Sequence, residues 1–138
     1  MPDIEKVDAF LTKVEVFYLA TTKGDQPKCR PFGFHYLDDD GKIYFTAATF
    51  KDVFKQIQEN PKVEIVGYDD GEEKFLRYYG IAKIVKRDKV VEKAFADLPE
   101  VKEFFVTNNL ELGVFYIDDA TAEIRNEVDI LESYTFKY

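Results

Sequence analysis

Val14-Glu15-Val16-Phe17-Tyr18-Leu19-Ala20-Thr21, followed closely by Lys23-Gly24-Asp25-Gln26-Pro27, is the stretch whose reading decides the fold class. Its first part is a run of β-branched and aromatic residues that suits a strand. Its second part is turn chemistry. A second strand is expected over residues 28–37. Asp38-Asp39-Asp40-Gly41 then reads as a solvated turn whose Asp-Gly step is a strong hairpin signal. Lys42-Ile43-Tyr44-Phe45-Thr46 makes a third strand.

Outward from these hairpins the period changes. Ile4, Val7, Phe10 and Leu11 fall on one helical face at the start of the chain, with Asp3 as the expected N-cap. Phe50, Val53, Phe54 and Ile57 repeat at helical spacing, and Thr49 with Asp52 resembles a capping box. That helix should stop at Asn60-Pro61. Strands are expected over 63–68 and 74–85. Asp88 is the expected cap of a helix with Val91, Ala94, Phe95 and Leu98 inward, and Pro99 restarts a short helix. Residues 112–117 and 120–125 read as β, with a bulge or turn at Asp118-Asp119, and the tail from 130 is weakly β. Hairpins dominate and helices do not alternate with single strands, which argues against a doubly wound parallel sheet. The expected class is mainly β (α+β): an antiparallel barrel of six to seven strands with flanking helices.

Composition narrows the function. The chain has 138 residues, 46% hydrophobic and 16% aromatic, so it can bury a core as one domain spanning 1–138. Its one cysteine, Cys29, allows no internal disulfide, and its one histidine, His35, excludes a multi-histidine metal site. The net charge of −8 disfavours nucleic acid as a partner. No apolar run reaches the roughly 20 residues that span a bilayer, and the acidic N-terminus lacks a signal-peptide pattern, so a cytoplasmic protein without membrane partners is expected. Only four of the 19 basic residues are arginine: Arg30, Arg77, Arg87 and Arg125. Arginine is the better bidentate ligand for phosphate, so each is a candidate.

Three constellations could carry chemistry. Lys28-Cys29-Arg30-Pro31-Phe32-Gly33-Phe34 sets a charge where the backbone is rigid on one side and open on the other. Pro31 cannot donate to a ladder, so its strand should lie at an edge or be bulged. Tyr44-Phe45-Thr46-Ala47-Ala48-Thr49-Phe50-Lys51 ends a strand and starts a helix, and Lys51 in a first turn fits best if an anion binds there. In Phe75-Leu76-Arg77-Tyr78-Tyr79-Gly80, alternation puts Arg77 with Phe75 and Tyr79, opposite Leu76 and Tyr78. The composition names no catalytic acid or base.

The ordered set Phe17-Tyr18-Leu19-Ala20-Thr21, Gly24-Asp25-Gln26-Pro27, Arg30-Pro31-Phe32-Gly33, Gly41-Lys42-Ile43-Tyr44-Phe45-Thr46, Lys51-Asp52-Val53, Gln56-Ile57 and Asn60-Pro61-Lys62-Val63-Glu64, with Arg77, Gly80 and Ala82, resembles the pyridoxamine 5′-phosphate oxidase-like family. The resemblance is to its small bacterial members, linked with nitroimidazole-resistance proteins. It implies a split β-barrel homodimer with flavin mononucleotide (FMN) between subunits, acting as an oxidoreductase on a small molecule. It also implies roles: Arg30 beside the flavin, the backbone of Pro31, Phe32 and Gly33 near its ring, Phe45 and Thr46 at the ribityl-phosphate chain, Lys51 on the phosphate and Arg77 nearby. The oxidase's extended C-terminal segment has no counterpart, so oxidation of vitamin B6 itself is not expected. The alternative is a flavin- or haem-binding module for storage or sensing.

Overall fold

A computed structural model describes all 138 residues. The elements are α1 (Asp3–Val14), β1 (Phe17–Lys23), β2 (Gln26–Phe32), β3 (Tyr36–Leu37), β4 (Ile43–Ala48) and α2 (Asp52–Glu59). They continue with β5 (Lys62–Asp69), β6 (Lys74–Val85), α3 (Asp88–Phe95), α4 (Pro99–Thr107), β7 (Leu112–Arg125) and β8 (Ile130–Phe136). All strand pairs are antiparallel, in the order β2-β1-β5-β6-β7-β4-β3, with β8 also on β7. The sheet does not close, which makes it a split barrel. Eight strands stand where six to seven were expected. The run at 28–37 breaks after Phe32, residues 112–125 form one strand, and the tail is a full strand. No helix is long and apolar enough to cross a membrane.

Alternation fills the interior. Phe17, Leu19, Ile65, Leu76, Phe45, Phe115 and Ile117 are all fully buried. Phe45 stacks on Phe115 with centroids 5.5 Å apart and meets Phe17 edge-on at 5.8 Å. Val7 and Leu11 of α1 and Val53, Phe54 and Ile57 of α2 close the core. Leu76 and Tyr78 point in while Arg77 and Tyr79 point out, as the alternation required.

The capping assignments differ from expectation. Pro2, Lys51 and Arg87 occupy the N-caps of α1, α2 and α3, and none of these helices has a side-chain cap. Asp3, Asp52 and Asp88 instead stand in the first turn, where a carboxylate still complements the dipole. Thr49 turns away and donates to the Glu111 carbonyl at 3.3 Å. In α3 it is Val90 that is buried, while Leu98 is exposed.

The acidic turn is also not a plain solvated one. The Asp38 side chain is buried and takes Lys89 Nζ at 2.8 Å and Arg87 Nη2 at 2.7 Å. Arg87 lies over the Tyr44 ring, and the Tyr44 hydroxyl donates to Asp40. This cluster ties the β3–β4 hairpin to the start of α3. Sequence patterning could not see it, because its partners are about fifty residues away.

The bulge expected at Asp118-Asp119 is present within a continuous strand. Tyr79 pairs with Thr121 and Ile81 with Asp118, so Asp119 and Ala120 together oppose Gly80. Asp119 takes a φ of +47°. A Cβ on Gly80 would fall 2.5 Å from the Asp118 carbonyl oxygen and 2.9 Å from that of Asp119. Gly80→Ala should therefore destabilise by about 1–3 kcal/mol through a displaced bulge. Chemical denaturation of the variant with an unchanged midpoint would refute the close approach.

Lys89, the Asp39 backbone N–H and Arg87 hold the Asp38 carboxyl well below its ordinary value of 3.8. A depressed folded-state value stabilises above the unfolded value and loses that contribution as pH falls through the folded one. Asp38→Asn should lower the thermal midpoint at neutral pH, and the gap from wild type should narrow in strong acid. A gap of constant size across that range would show that the ion pairs contribute nothing.

Candidate functional site

Strands β2 and β3 end the strand order and are not paired to each other, so the split in the barrel lies where residues 33–35 bridge them. β2 is the edge strand that Pro31 required; Pro31 sits opposite Tyr18 with its other side unpaired. Curling of the sheet brings this edge back to the β4–α2 junction. One cavity of about 250 Å³ is lined by Arg30, Pro31, Phe32, Gly33, Thr46 and Lys51, among others. A neighbouring cavity of about 410 Å³ is lined by Lys23, Lys28, Arg30, Lys51, Asp52, Val53 and Gln56. The two share Arg30, Lys51 and Val53 and form one cleft.

The electrostatics of this cleft set it apart. Arg77 is forked onto Glu64, with Nε to Oε2 and Nη2 to Oε1 each at 3.0 Å. Arg87 is paired with Asp38 and Arg125 with Glu123. Arg30 alone among the arginines has no carboxylate partner. No ion pair of the chain involves Lys23, Lys28, Arg30 or Lys51. Four uncompensated cations therefore face a cleft with one carboxylate, Asp52, on a protein of net charge −8.

Arg30 is held by neutral groups. Its Nη1 donates to Thr21 Oγ1 at 2.8 Å and to the Leu19 carbonyl at 3.3 Å, and its Nη2 donates to Gln56 Oε1 at 2.8 Å. Thr21 Oγ1 donates to the same Gln56 oxygen at 2.6 Å. Burial lowers the affinity of Arg30 for its proton. Thr21 follows Phe17 and Leu19 on the inward face of β1, and Gln56 lies among the inward residues of α2. A neutral polar residue on an apolar face was the sequence signal for both, and sequence reasoning assigned neither a role.

The expected site residues divide. Arg30, Pro31, Phe32, Gly33, Thr46 and Lys51 line the cleft together. The Phe45 side chain does not, because alternation on β4 turns it into the core. Arg77 lies on the outward face of β6 and lines neither part. Its partner Glu64 and its neighbour Tyr79 line a separate cavity of about 550 Å³ around Gly80. His35 Nδ1 lies 2.9 Å from Asp8 Oδ1 and Nε2 lies 3.3 Å from Thr12 Oγ1, which ties α1 to the β2–β3 bridge. Cys29 is exposed on β2, contrary to its usual place in a core. No three His, Cys, Asp or Glu side chains converge as metal ligands.

The pyridoxamine 5′-phosphate oxidase family profile matches residues 4–107, which include the whole cleft. The chain belongs to this family. Among solved structures it is similar to a NimC/NimA family protein from Clostridium acetobutylicum, at 31% identity over 99% of this chain and 95% of that one, with a TM-score of 0.82. A pyridoxamine 5′-phosphate oxidase-related FMN-binding protein from Nostoc punctiforme shares the fold at 14% identity, covering 100% of this chain and 98% of that one, with a TM-score of 0.59. A heme-binding protein from Mycobacterium smegmatis does so at 14% identity, covering 98% of this chain and 59% of that one, with a TM-score of 0.68. No curated protein matches the chain.

Proposed function

We propose that this family member binds FMN in the cleft at the barrel split and acts as an oxidoreductase on a small molecule. The observation that carries the reading is the one arginine left without a carboxylate, set beside Lys51 at the start of α2. Uncompensated cations at a helix N-terminus suit a phosphate monoester. The adjoining strip from Pro31 to Phe34 offers backbone and an aromatic side chain to a flat ring. These residues fit FMN: Arg30, Lys51 and Thr46 would hold the ribityl phosphate, and 31–34 would border the ring. When bound, the flavin supplies the electron transfer, and the protein sets its orientation and electrostatics.

The haem alternative is weaker in this chain. Both ring nitrogens of the only histidine are engaged by α1, and its side chain is 12% exposed. A flavin-binding module without turnover stands as the second reading, since the cleft holds no histidine, tyrosine or cysteine to move a proton. Stopped-flow mixing of the reduced protein with electron acceptors separates the two readings.

Arg30→Ala and Lys51→Ala should each weaken FMN binding by about tenfold or more, because a charge-assisted hydrogen bond contributes roughly 1.5–3 kcal/mol. Riboflavin, which lacks the phosphate, should respond little to Lys51→Ala. Fluorescence titration measures both, and equal losses for the two flavins would remove Lys51 from the phosphate site.

The reading includes a homodimer in which each subunit completes the other's site. Tyr18, Phe50, Tyr68 and Phe104 are each about half exposed, which is much aromatic surface for a free monomer. Arg77 and Tyr79 on the outward face of β6 are the candidates for reaching a partner's flavin. FMN and dimerisation should then be linked reciprocally. Sedimentation equilibrium with and without FMN tests this: added FMN should shift dimer formation to lower protein concentration. A monomer that keeps its flavin at full occupancy would overturn the shared site.

A further inference from the structure

We propose that Thr21 and Gln56 are positioning residues that grip Arg30 with neutral oxygens, so that its full charge and one edge of its guanidinium stay available to a phosphate dianion. The proposal rests on the reading of the cleft as a phosphate site.

A guanidinium has five N–H donors in a rigid plane. Three are committed here, to Thr21 Oγ1, the Leu19 carbonyl and Gln56 Oε1. The Thr21 and Gln56 oxygens lie 2.6 Å apart, so they take Nη1 and Nη2 side by side across the end of the group. The donors left over are Nε–H and the second N–H of Nη2. These point the same way along the Nε–Nη2 edge and make the parallel fork that receives a phosphate or carboxylate.

The chemistry of the grip decides what the fork can do. Thr21 is 2% exposed and Gln56 6%, so both belong to the frame rather than to the surface. A glutamate in place of Gln56 could accept the same hydrogen bonds more strongly. It would also cancel the charge, as Glu64 does for Arg77. An arriving anion would then meet a neutral pair. With an amide and a hydroxyl the guanidinium is partly desolvated and has only the through-space field of Asp52 to offset that, an arrangement an arriving anion relieves. Asp52, the one carboxylate of the cleft, makes no hydrogen bond or ion pair with Arg30.

The test is a titration of wild type, Gln56→Glu, Gln56→Ala, Thr21→Val and Thr21→Ser with FMN, riboflavin and inorganic phosphate, with thermal unfolding of each apo protein. Gln56→Glu should be at least as stable as wild type yet lose tenfold or more in affinity for FMN and phosphate, with riboflavin changed less than about twofold. Gln56→Ala should lose less FMN affinity than Gln56→Glu. Thr21→Ser should keep the affinity that Thr21→Val loses, and this pair decides the matter alone if Gln56→Glu does not fold. Parallel losses for FMN and riboflavin, or Gln56→Glu binding as well as wild type, would overturn the clamp. Wild type that binds phosphate but no FMN, with the Gln56→Glu loss intact, keeps the clamp and overturns the flavin reading. Wild type that binds neither overturns both.

Discussion

The β6–β7 ladder is the interaction on which the rest of the structure depends. These are the two longest strands, and they pair from Phe75–Arg125 at one end to Val85–Val114 at the other. Every other strand hangs from one of them: β5, β1 and β2 in turn from β6, and β4, β3 and β8 from β7. The bulge at Gly80 lies inside this ladder, and a bulge bends and twists the strand that carries it. A twisted ladder of this length curls the sheet toward closure, and the chain stops short of it.

That incomplete closure creates the site. β2 and β4 are far apart in strand order, yet Arg30 and Thr46 line one cleft. A closed barrel would cover the β2 edge with another strand, and a flat sheet would hold Arg30 and Lys51 apart. The edge is protected by its own sequence, since Pro27 and Pro31 offer no N–H to a passing strand. The same feature that blunts aggregation leaves the backbone of residues 31–33 free for a ligand.

Charge follows the same division between frame and site. Arg87 and Arg125 are paired with acids and contribute to the frame, and Arg77 is paired with Glu64 on the outward face of β6. Arg30 is gripped by Thr21 and Gln56, and its charge faces the cleft. Lysines at the cleft rim are exposed and cost little to leave unpaired. The half-buried guanidinium is the costlier group, and such a group is a mark of function in a fold shared by proteins of different ligands.

The sequence by itself determined the succession of hairpins and helices, though not every strand break, because period-two runs, the Gly24 and Gly41 turns and the helical spacing of Val53, Phe54 and Ile57 are local signals. It determined the inward face of β6 for the same reason, and the ordered motifs pointed to the family before any geometry. Tertiary structure decided the rest. Nothing local says that Phe45 would be core while its neighbour Thr46 lines the cleft, since both sit in one apolar run whose two faces are buried by different partners. Nothing local says that Asp38 would be buried, because its neutralising partners, Arg87 and Lys89, arrive from a distant helix. The neutral grip on Arg30 joins residues from β1, β2 and α2. Each of them alone reads as an ordinary strand threonine, strand arginine or helix glutamine, and only the curl of the sheet brings their polar atoms within hydrogen-bond distance.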